Sequence, residues 1–434
     1  MRISQEHRQH AEDLIEFIDQ SPSPWHAVET LASRLRKEGF TALDEKDRWT
    51  LTEGQKAYVI RGGSSLIAFH IGTKAPADVG FRIIGAHTDS PGLRIKPQTM
   101  DPHDHWVRLG VEVYGSPILA TYGDRDLSLA GRVTLQEGSQ LTHRLIRFEK
   151  SLLRLPNLAI HLNRQVNEEG LKFHLQTELP LLLGTSSDHP EGFFLTLLSE
   201  ALNVPTAQLR SFELAVYDTH AGGFWGADEA FIAHRQIDNL ASCHASLLAL
   251  LEHSNQRQSV VCAFFDHEEV GSQSYQGADG SFLSDVLERL YLRAASQHPE
   301  DFRRSLARSL LVSADGAHGF HPNFPAAFEP HHPVRINQGP ALKMNVNQRY
   351  ATNGDGEALF RQLLERANIP GQIYVHRSNL GCGSTIGPLS ASRLGIPTLD
   401  CGVPMWAMHS IRESAGVLDQ LWLKKLLSAF LSDL

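Results

Sequence analysis

Cysteine is nearly absent from this chain. Its four thiols, Cys243, Cys262, Cys382 and Cys401, are scattered, and none forms a C-x-x-C pair. That excludes a disulfide-stapled scaffold and a thiolate zinc module, and it reads as the reduced thiols of a cytoplasmic protein. Long apolar runs are missing too: nothing approaches the ~20 apolar residues that span a bilayer, so no membrane partner is expected. The opening MRISQEHRQHAEDLIEF is charged and helical in pattern, without the apolar core of a signal peptide. Nor is there a positive excess. The net charge is -9, with Lys and Arg spread along the chain, so nucleic acid is not an expected partner.

What is present is a chain of 434 residues, 41 % apolar and 21 % charged, enough for a packed core in roughly two or three domains. The 23 histidines are the compositional oddity and direct attention to metal chemistry. Two amphipathic helices open the chain, the first over about Gln5 to Ile18, the second after the "SPSPWHAV" punctuation. Strand-like runs follow at Tyr58–Ile60, Ser65–Ile71 and Phe81–Ala86. From about Pro97 to His220 the texture changes to short alternating segments: "WVRLGVEVYG", "DLSLAGRVTL", "NLAIHLNR", "LKFHL" and "FELAVYDT". After Ile237 helices and strands alternate, with strands at Ser259–Phe265 and Gln372–Val375 and a closing helix at Val417–Leu431, which predicts an α/β sheet. The economical reading is an α/β domain formed by residues 1–95 and 233–434, interrupted by an inserted β-rich domain at 96–232.

Five segments share one layout, an apolar run with acids or a histidine at its carboxyl end. "GAHTDSP" carries His87 and Asp89, and "FIAHRQIDNL" carries Asp238. "VVCAFFDHEEVGS" carries Asp266, His267, Glu268 and Glu269, and "LLVSADGAHGFHPN" carries Asp315, His318 and His321. "TLDCGVPMWAMHSIRE" carries His409 and Glu413. Taken singly, each has an ordinary reading: Asp238 as a helix cap, Glu268-Glu269 as a solvated turn, Asp315-Gly316 as a turn, His409 as a loop histidine. Taken together, they suit an α/β sheet in which ligands gather beyond the carboxyl ends of strands. Carboxylates with a few imidazoles match paired zinc, manganese or cobalt ions in hydrolases. The Glu-Glu pair can divide two roles, one acid on the metal and the other taking a proton from water. His87-Thr-Asp89 has matching logic, since a ligating histidine commonly gives its other N–H to a carboxylate.

The motifs "HTDSPGL", "VEVYGSP", "DRDLSLAGRV", "PNLAIHLNR", "DHEEVGS", "NQRYATN", "GCGSTIGP" and "MHSIRE" resemble, in order, those of the aspartyl aminopeptidase family of dizinc metallopeptidases. The resemblance implies a dizinc exopeptidase-like mixed sheet flanked by helices, with an inserted dimerisation domain, and a homo-oligomer of dimers forming a dodecamer. Carried over residue by residue, His87, Asp238 and Asp315 would bind one metal; Asp238, Glu269 and His409 would bind the second. Glu268 would be the general base and Asp89 the partner of His87. His161 would reach the neighbouring subunit's site or add a metal contact, and Lys343 would face an acidic substrate side chain. One departure is local: the family more often writes Ser-x-Arg-x-Asp-Asn here, whereas "AHRQIDN" sets Arg235 three residues before Asp238. The expected activity is removal of N-terminal Asp or Glu from peptides with a free N-terminus. The competing readings are a neutral-residue aminopeptidase, a binuclear amidohydrolase acting on N-acyl amino acids, and an inactive assembly protein that kept the fold.

Overall fold

Serine opens each of the first two helices. Ser4 accepts the backbone N–H of His7 at the head of helix Gln5–Asp19, and Ser23 accepts that of His26 before helix Pro24–Lys37. Pro24 sits in the first turn, where a missing N–H costs nothing. The computed structural model of the chain describes residues 3–185, 190–254, 257–293 and 298–432. No helix among them is long and apolar enough to cross a membrane.

A nine-stranded mixed sheet carries the rest of this architecture. Its order is Thr41–Leu43, Lys56–Arg61, Ser65–His70, Ser259–Phe265, Phe81–His87, Leu310–Ala314, Thr398–Gly402, Ala341–Met344 and Gln372–Val375. The consecutive neighbours from Ser259–Phe265 to Thr398–Gly402 are mutually parallel, so their carboxyl ends share one edge. Ser259–Phe265 is buried along its whole length, as a strand covered on both faces must be. Its side chains alternate between two layers. Val260, Cys262 and Phe264 join a core with helices Gln5–Asp19, Ile237–Leu251 and Val417–Leu431, while Val261, Ala263 and Phe265 pack with helices Phe282–Tyr291 and Ile386–Leu394.

Residues 92–218 supply a separate antiparallel sheet of six strands, in the order Gln140–Arg147, Leu127–Glu137, Leu209–Asp218, Gly92–His103, Trp106–Tyr114 and Leu181–Thr185. It has its own core, in which Leu129, Val133, Leu109 and Leu214 meet Phe194 and Leu198 of helix Pro190–Leu202. Two expected strands are not formed. "NLAIHLNR" is irregular and turns at residues 160–162, and "LKFHL" has no strand pairing; Leu158, Ile160, Leu162 and Leu175 are exposed. Alternation was present there, but no neighbouring strand pairs with either segment, and a strand needs one. A five-stranded sheet, ordered Gly223–Trp225, Phe231–His234, Glu413–Gly416, Pro404–Trp406 and Ala317–His318, lies at the carboxyl edge of the central sheet and frames its loops.

Close packing at that edge gives a test. A Cβ on Gly402 would lie 1.8 Å from the Asp315 carbonyl oxygen, whereas one on Gly383 would meet nothing within 4 Å. Gly402→Ala should therefore destabilise the protein by about 1–3 kcal/mol through overpacking, with Gly383→Ala near neutral. Thermal denaturation of the two variants beside the parent checks this.

Candidate active site

Adjacent parallel strands deliver most of the site. His87 is the last residue of Phe81–His87, Asp266 to Glu269 follow Ser259–Phe265, and Asp315 follows Leu310–Ala314. Asp238 enters from the first turn of helix Ile237–Leu251, and His409 from the loop after Pro404–Trp406. The backbone is left-handed at Gln236 (φ 58°), His267 (φ 66°) and His409 (φ 69°), a conformation that non-glycine residues hold only when their surroundings impose it.

His87 Nε2 is the hub. It lies 3.6 Å from Asp238 Oδ1, 3.8 Å from Asp315 Oδ1 and 3.9 Å from Glu268 Oε2. His409 Nε2 lies 3.2 Å from Asp238 Oδ2 and 3.5 Å from Glu269 Oε1. Both rings are oriented from behind: His87 Nδ1 is 3.0 Å from the Asp89 carbonyl and His409 Nδ1 is 3.1 Å from the Ser116 carbonyl. An N–H at each Nδ1 leaves Nε2 as the free acceptor facing the acids.

Asp89 has more connections than expected. Its carboxylate lies 3.5 Å from His87 Nδ1, beside the Asp89 carbonyl at 3.0 Å, and it also serves the neighbouring loop. Oδ1 accepts the Glu268 N–H, while Oδ2 accepts the Glu269 N–H and, at 2.7 Å, the Tyr114 hydroxyl. Asp89 thus fixes the loop that presents both glutamates. Glu413, noted in the sequence only for following His409, has a parallel role. Its Oε2 accepts the Asp238 N–H at 2.9 Å and its Oε1 the His409 N–H at 2.7 Å. The signal for Tyr114 was the "VEVYGSP" motif; nothing in the sequence marked Glu413 as a clamp.

So many acids in one dry place disturb their ionisation. Burial pushes Glu268 up to about 8, with Asp315, Asp89 and Asp238 adding repulsion and His87 opposing. Burial and Asp238 hold Glu269 well above the usual range. His409 is lowered by burial, yet its hydrogen bond to Asp238 and nearby acids raise it to about 9. Asp315 goes the other way: burial raises it, but Lys343 and His87 bring it below the usual range.

The donor set is suited to divalent cations. Ligand atoms of His87, Asp238 and Glu269 lie within 4.8 Å of one another, as do those of His87, Glu268 and Asp315. Asp238 Oδ1 and Glu269 Oε1 are buried without a hydrogen-bond partner, a costly state that a cation would relieve. Of the other expected residues, His409 faces Asp238 and Glu269 and Asp89 stands behind His87, whereas His161 lies in an exposed turn and the Lys343 ammonium is turned onto Asp315 and the Gly316 carbonyl.

Known proteins share both sequence and shape. Residues 17–431 match the family model described as aminopeptidase I zinc metalloprotease (M18). The probable M18 family aminopeptidase 2 of Azotobacter vinelandii is 47 % identical over 423 residues, covering 96 % of this chain and 97 % of that protein. A chain from the cryo-EM structure of the Ape4 and Nbr1 complex superposes with TM-score 0.95 at 36 % identity, covering 99 % of this chain and 87 % of that one. The S. cerevisiae mApe1 dodecamer gives TM-score 0.85 at 27 % identity, over 97 % and 95 % of the two chains. The fold is thus of the dizinc exopeptidase-like α/β class. The chain belongs to the M18 family of zinc metalloaminopeptidases, which are hydrolases.

The Glu413 clamp is open to measurement. Glu413→Ala strands the buried Asp238 N–H, worth about 1–3 kcal/mol, and the part-buried His409 N–H, and should lower the urea midpoint clearly. Glu413→Gln, which keeps one acceptor oxygen, should fall between that variant and the parent.

Proposed function

We propose that the chain removes N-terminal Asp or Glu from peptides with a free α-amine, using two divalent ions per subunit. The observation that carries the reading is the pair of unpartnered buried oxygens, Asp238 Oδ1 and Glu269 Oε1, facing the free nitrogens of His87 and His409. His87, Asp238 and Asp315 would hold one ion; Asp238, Glu269 and His409 would hold the other, with Asp238 shared. Family membership favours zinc, and the oxygen-rich donor set also accepts manganese or cobalt. When bound, such ions supply Lewis acidity and bring the pKa of water to about 7.

The chain's own residues do the rest. Glu268 Oε accepts a proton from the attacking water as the oxygen–carbon bond forms, and returns it to the leaving amine nitrogen as the carbon–nitrogen bond breaks. Its elevated pKa, near 8, suits a group that must both take and give a proton near neutrality. Asp89 keeps that carboxylate in place through the Glu268 N–H. A cleft of about 470 Å³, with the acids at its base, has room for the terminal residue. Lys343 and Arg349 line the same cleft, and this positive pair supports an acidic preference over a neutral one.

Residues 96–232 are proposed as a dimerisation domain, with the active form a homo-oligomer of dimers; the S. cerevisiae mApe1 relative is a dodecamer. The exposed turn with His161 between Ile160 and Leu162 supports a role at a neighbouring subunit. A reducing cytoplasm suits four thiols that form no disulfide.

Glu268→Gln should lose about 10³-fold or more in kcat on Asp- and Leu-amides while binding as much zinc as the parent. Retained turnover would remove the general base from the proposal. His161→Ala should cut activity severely with zinc content and oligomeric state unchanged, as read by metal analysis and light scattering; full activity in an isolated monomer would refute the shared site.

A further inference from the structure

Arg235, set three residues before Asp238, falls at a junction of three parts of the fold. Helix Gln5–Asp19 ends there, and so does strand Leu209–Asp218 of the inserted sheet; strand Phe231–His234 turns there into helix Ile237–Leu251. Arg235 is 4 % exposed, and its guanidinium spans the junction. Nη2 donates to the carbonyls of Ile18 at 3.2 Å and Asp19 at 3.1 Å. Nη1 reaches Asp19 Oδ1 at 3.4 Å and the Asp218 carbonyl at 3.3 Å. The central guanidinium carbon stands 5.1 Å from the centre of the Tyr217 ring. The last carbonyls of a helix form the negative end of its dipole and have no partner within the helix, which suits a buried cation. A guanidinium offers five donors in fixed directions to acceptors spread this way, whereas an ammonium offers three on a flexible stem.

The backbone at this point is held as well. The Arg235 N–H donates to His234 Nδ1 at 2.9 Å, which leaves that ring's hydrogen on Nε2, 3.1 Å from the same Asp19 carboxylate. Gln236, left-handed at φ 58°, and Ile237, buried in the core, are the two residues between Arg235 and Asp238. A turn this short has no slack, so a shift at Arg235 is passed on to Asp238. From Asp238 the contacts belong to the site: its N–H goes to Glu413, and its carbonyl accepts the Ser90 hydroxyl at 2.7 Å. Arg147 provides a comparison. It donates to the same Asp19 carbonyl at 2.7 Å and stands 5.7 Å from the Tyr217 ring centre, but it ends strand Gln140–Arg147, none of whose residues is a proposed ligand.

We propose that Arg235 is a positioning residue for the shared ligand Asp238, fixing the turn at 235–238 against the end of helix Gln5–Asp19 and the end of strand Leu209–Asp218. The inference rests on the proposed role of Asp238 in holding two ions, and adds what sets its position. The inserted domain thereby becomes part of the support of the site within its own chain.

The test uses the full-length enzyme, comparing the parent with Arg235→Met, Arg235→Lys and Arg147→Met. Each apoprotein is titrated with zinc against a chelator, and each cobalt-loaded protein is read by its visible absorption spectrum. Kinetics on Asp- and Leu-amides at saturating zinc and thermal midpoints are measured beside these. Arg235→Met should bind the weaker of its two zinc ions about 10-fold or more less tightly and alter the cobalt spectrum. Its kcat should fall about 10- to 100-fold on both amides, with KM changed by about threefold or less. Arg235→Lys keeps the charge without the fork and should fall between that variant and the parent. Arg147→Met should lower the thermal midpoint while keeping the parent's zinc affinity and cobalt spectrum. Parental zinc affinity and cobalt spectrum in the Arg235 variants overturn the assignment. So does an equal change in Arg147→Met, which marks a general loosening of the junction. Should Arg235→Met fail to fold, Arg235→Lys is judged against Arg147→Met by the same two readings. A parent that binds fewer than two zinc ions overturns the shared-ligand reading, and the inference with it.

Discussion

Mutual repulsion among five carboxylates at one sheet edge is the constraint to which the surrounding structure responds. Asp89, Asp238, Glu268, Glu269 and Asp315 are gathered around His87, largely out of water. Two like charges 4 Å apart at an effective dielectric of about 20 repel by ~4 kcal/mol, so the cluster cannot be left uncompensated. The protein answers in three ways. Asp89 is given dedicated donors, two backbone N–H groups and a phenol. Asp315 and Asp238 are given cations, Lys343 and His409. Glu268 and Glu269 are left with raised affinity for a proton. Among the described residues no hydrogen bond reaches Asp238 Oδ1 or Glu269 Oε1, the atoms proposed to hold ions.

The fold makes this concentration of charge possible by separating two tasks. Strands covered on both faces, such as Ser259–Phe265, apolar from Val260 onward, settle the position of the sheet. In Phe81–His87, Ser259–Phe265 and Leu310–Ala314 the site residues come at or just after the strand's end, so burying these acids competes little with packing the strands. Left-handed backbone occurs at the same places. His409 has φ 69° while its N–H is held by Glu413, and His267 has φ 66° while its N–H is held by the Asp266 carboxylate. In each case a hydrogen bond to a fixed acid imposes a backbone that the residue would not choose.

Legibility in the sequence followed burial. Ser259–Phe265, Gln372–Val375 and Val417–Leu431 have the bounds their apolar patterns predicted, the first and last fixed by faces inside the large cores and Gln372–Val375 by Tyr374 in a small one. The misread stretch around residues 157–175 has the same alternation, with its leucines outside. Pattern records the wish to be buried against something, and it is silent on whether the partner lies within one chain. Helices Phe282–Tyr291 and Pro299–Ala307 were not read, although the first buries Phe282, Val286 and Leu290 at helical spacing. The site was readable as a set of residue types and less so as connections. Local spacing suggested that the Asp89 carboxylate would serve His87, from which it lies 3.5 Å, but its further bonds to Glu268 and Glu269 span about 180 residues and depend on strand order.

Strand order also decides which parts of the molecule depend on the acids being compensated. The core of the six-stranded sheet draws on residues 93–216, with Ile411 the one buried contribution from the site loops. Below the edge, the two faces of the central sheet are closed by helices that pack on it through their apolar sides. Repulsion in the cluster therefore acts first on the loops around residues 236–238, 266–269 and 407–410, which have positive φ and rely on Glu413 and Asp89 for their shape. An ion that binds only the folded arrangement stabilises it by RT ln(1 + [L]/Kd), about 2.7 kcal/mol at a hundredfold excess over Kd. That gain is of the size needed to fix such loops and small beside two apolar cores. Ion binding in this architecture is for that reason coupled to order at the cleft, where chemistry requires it, and only weakly to the survival of the sheets beneath.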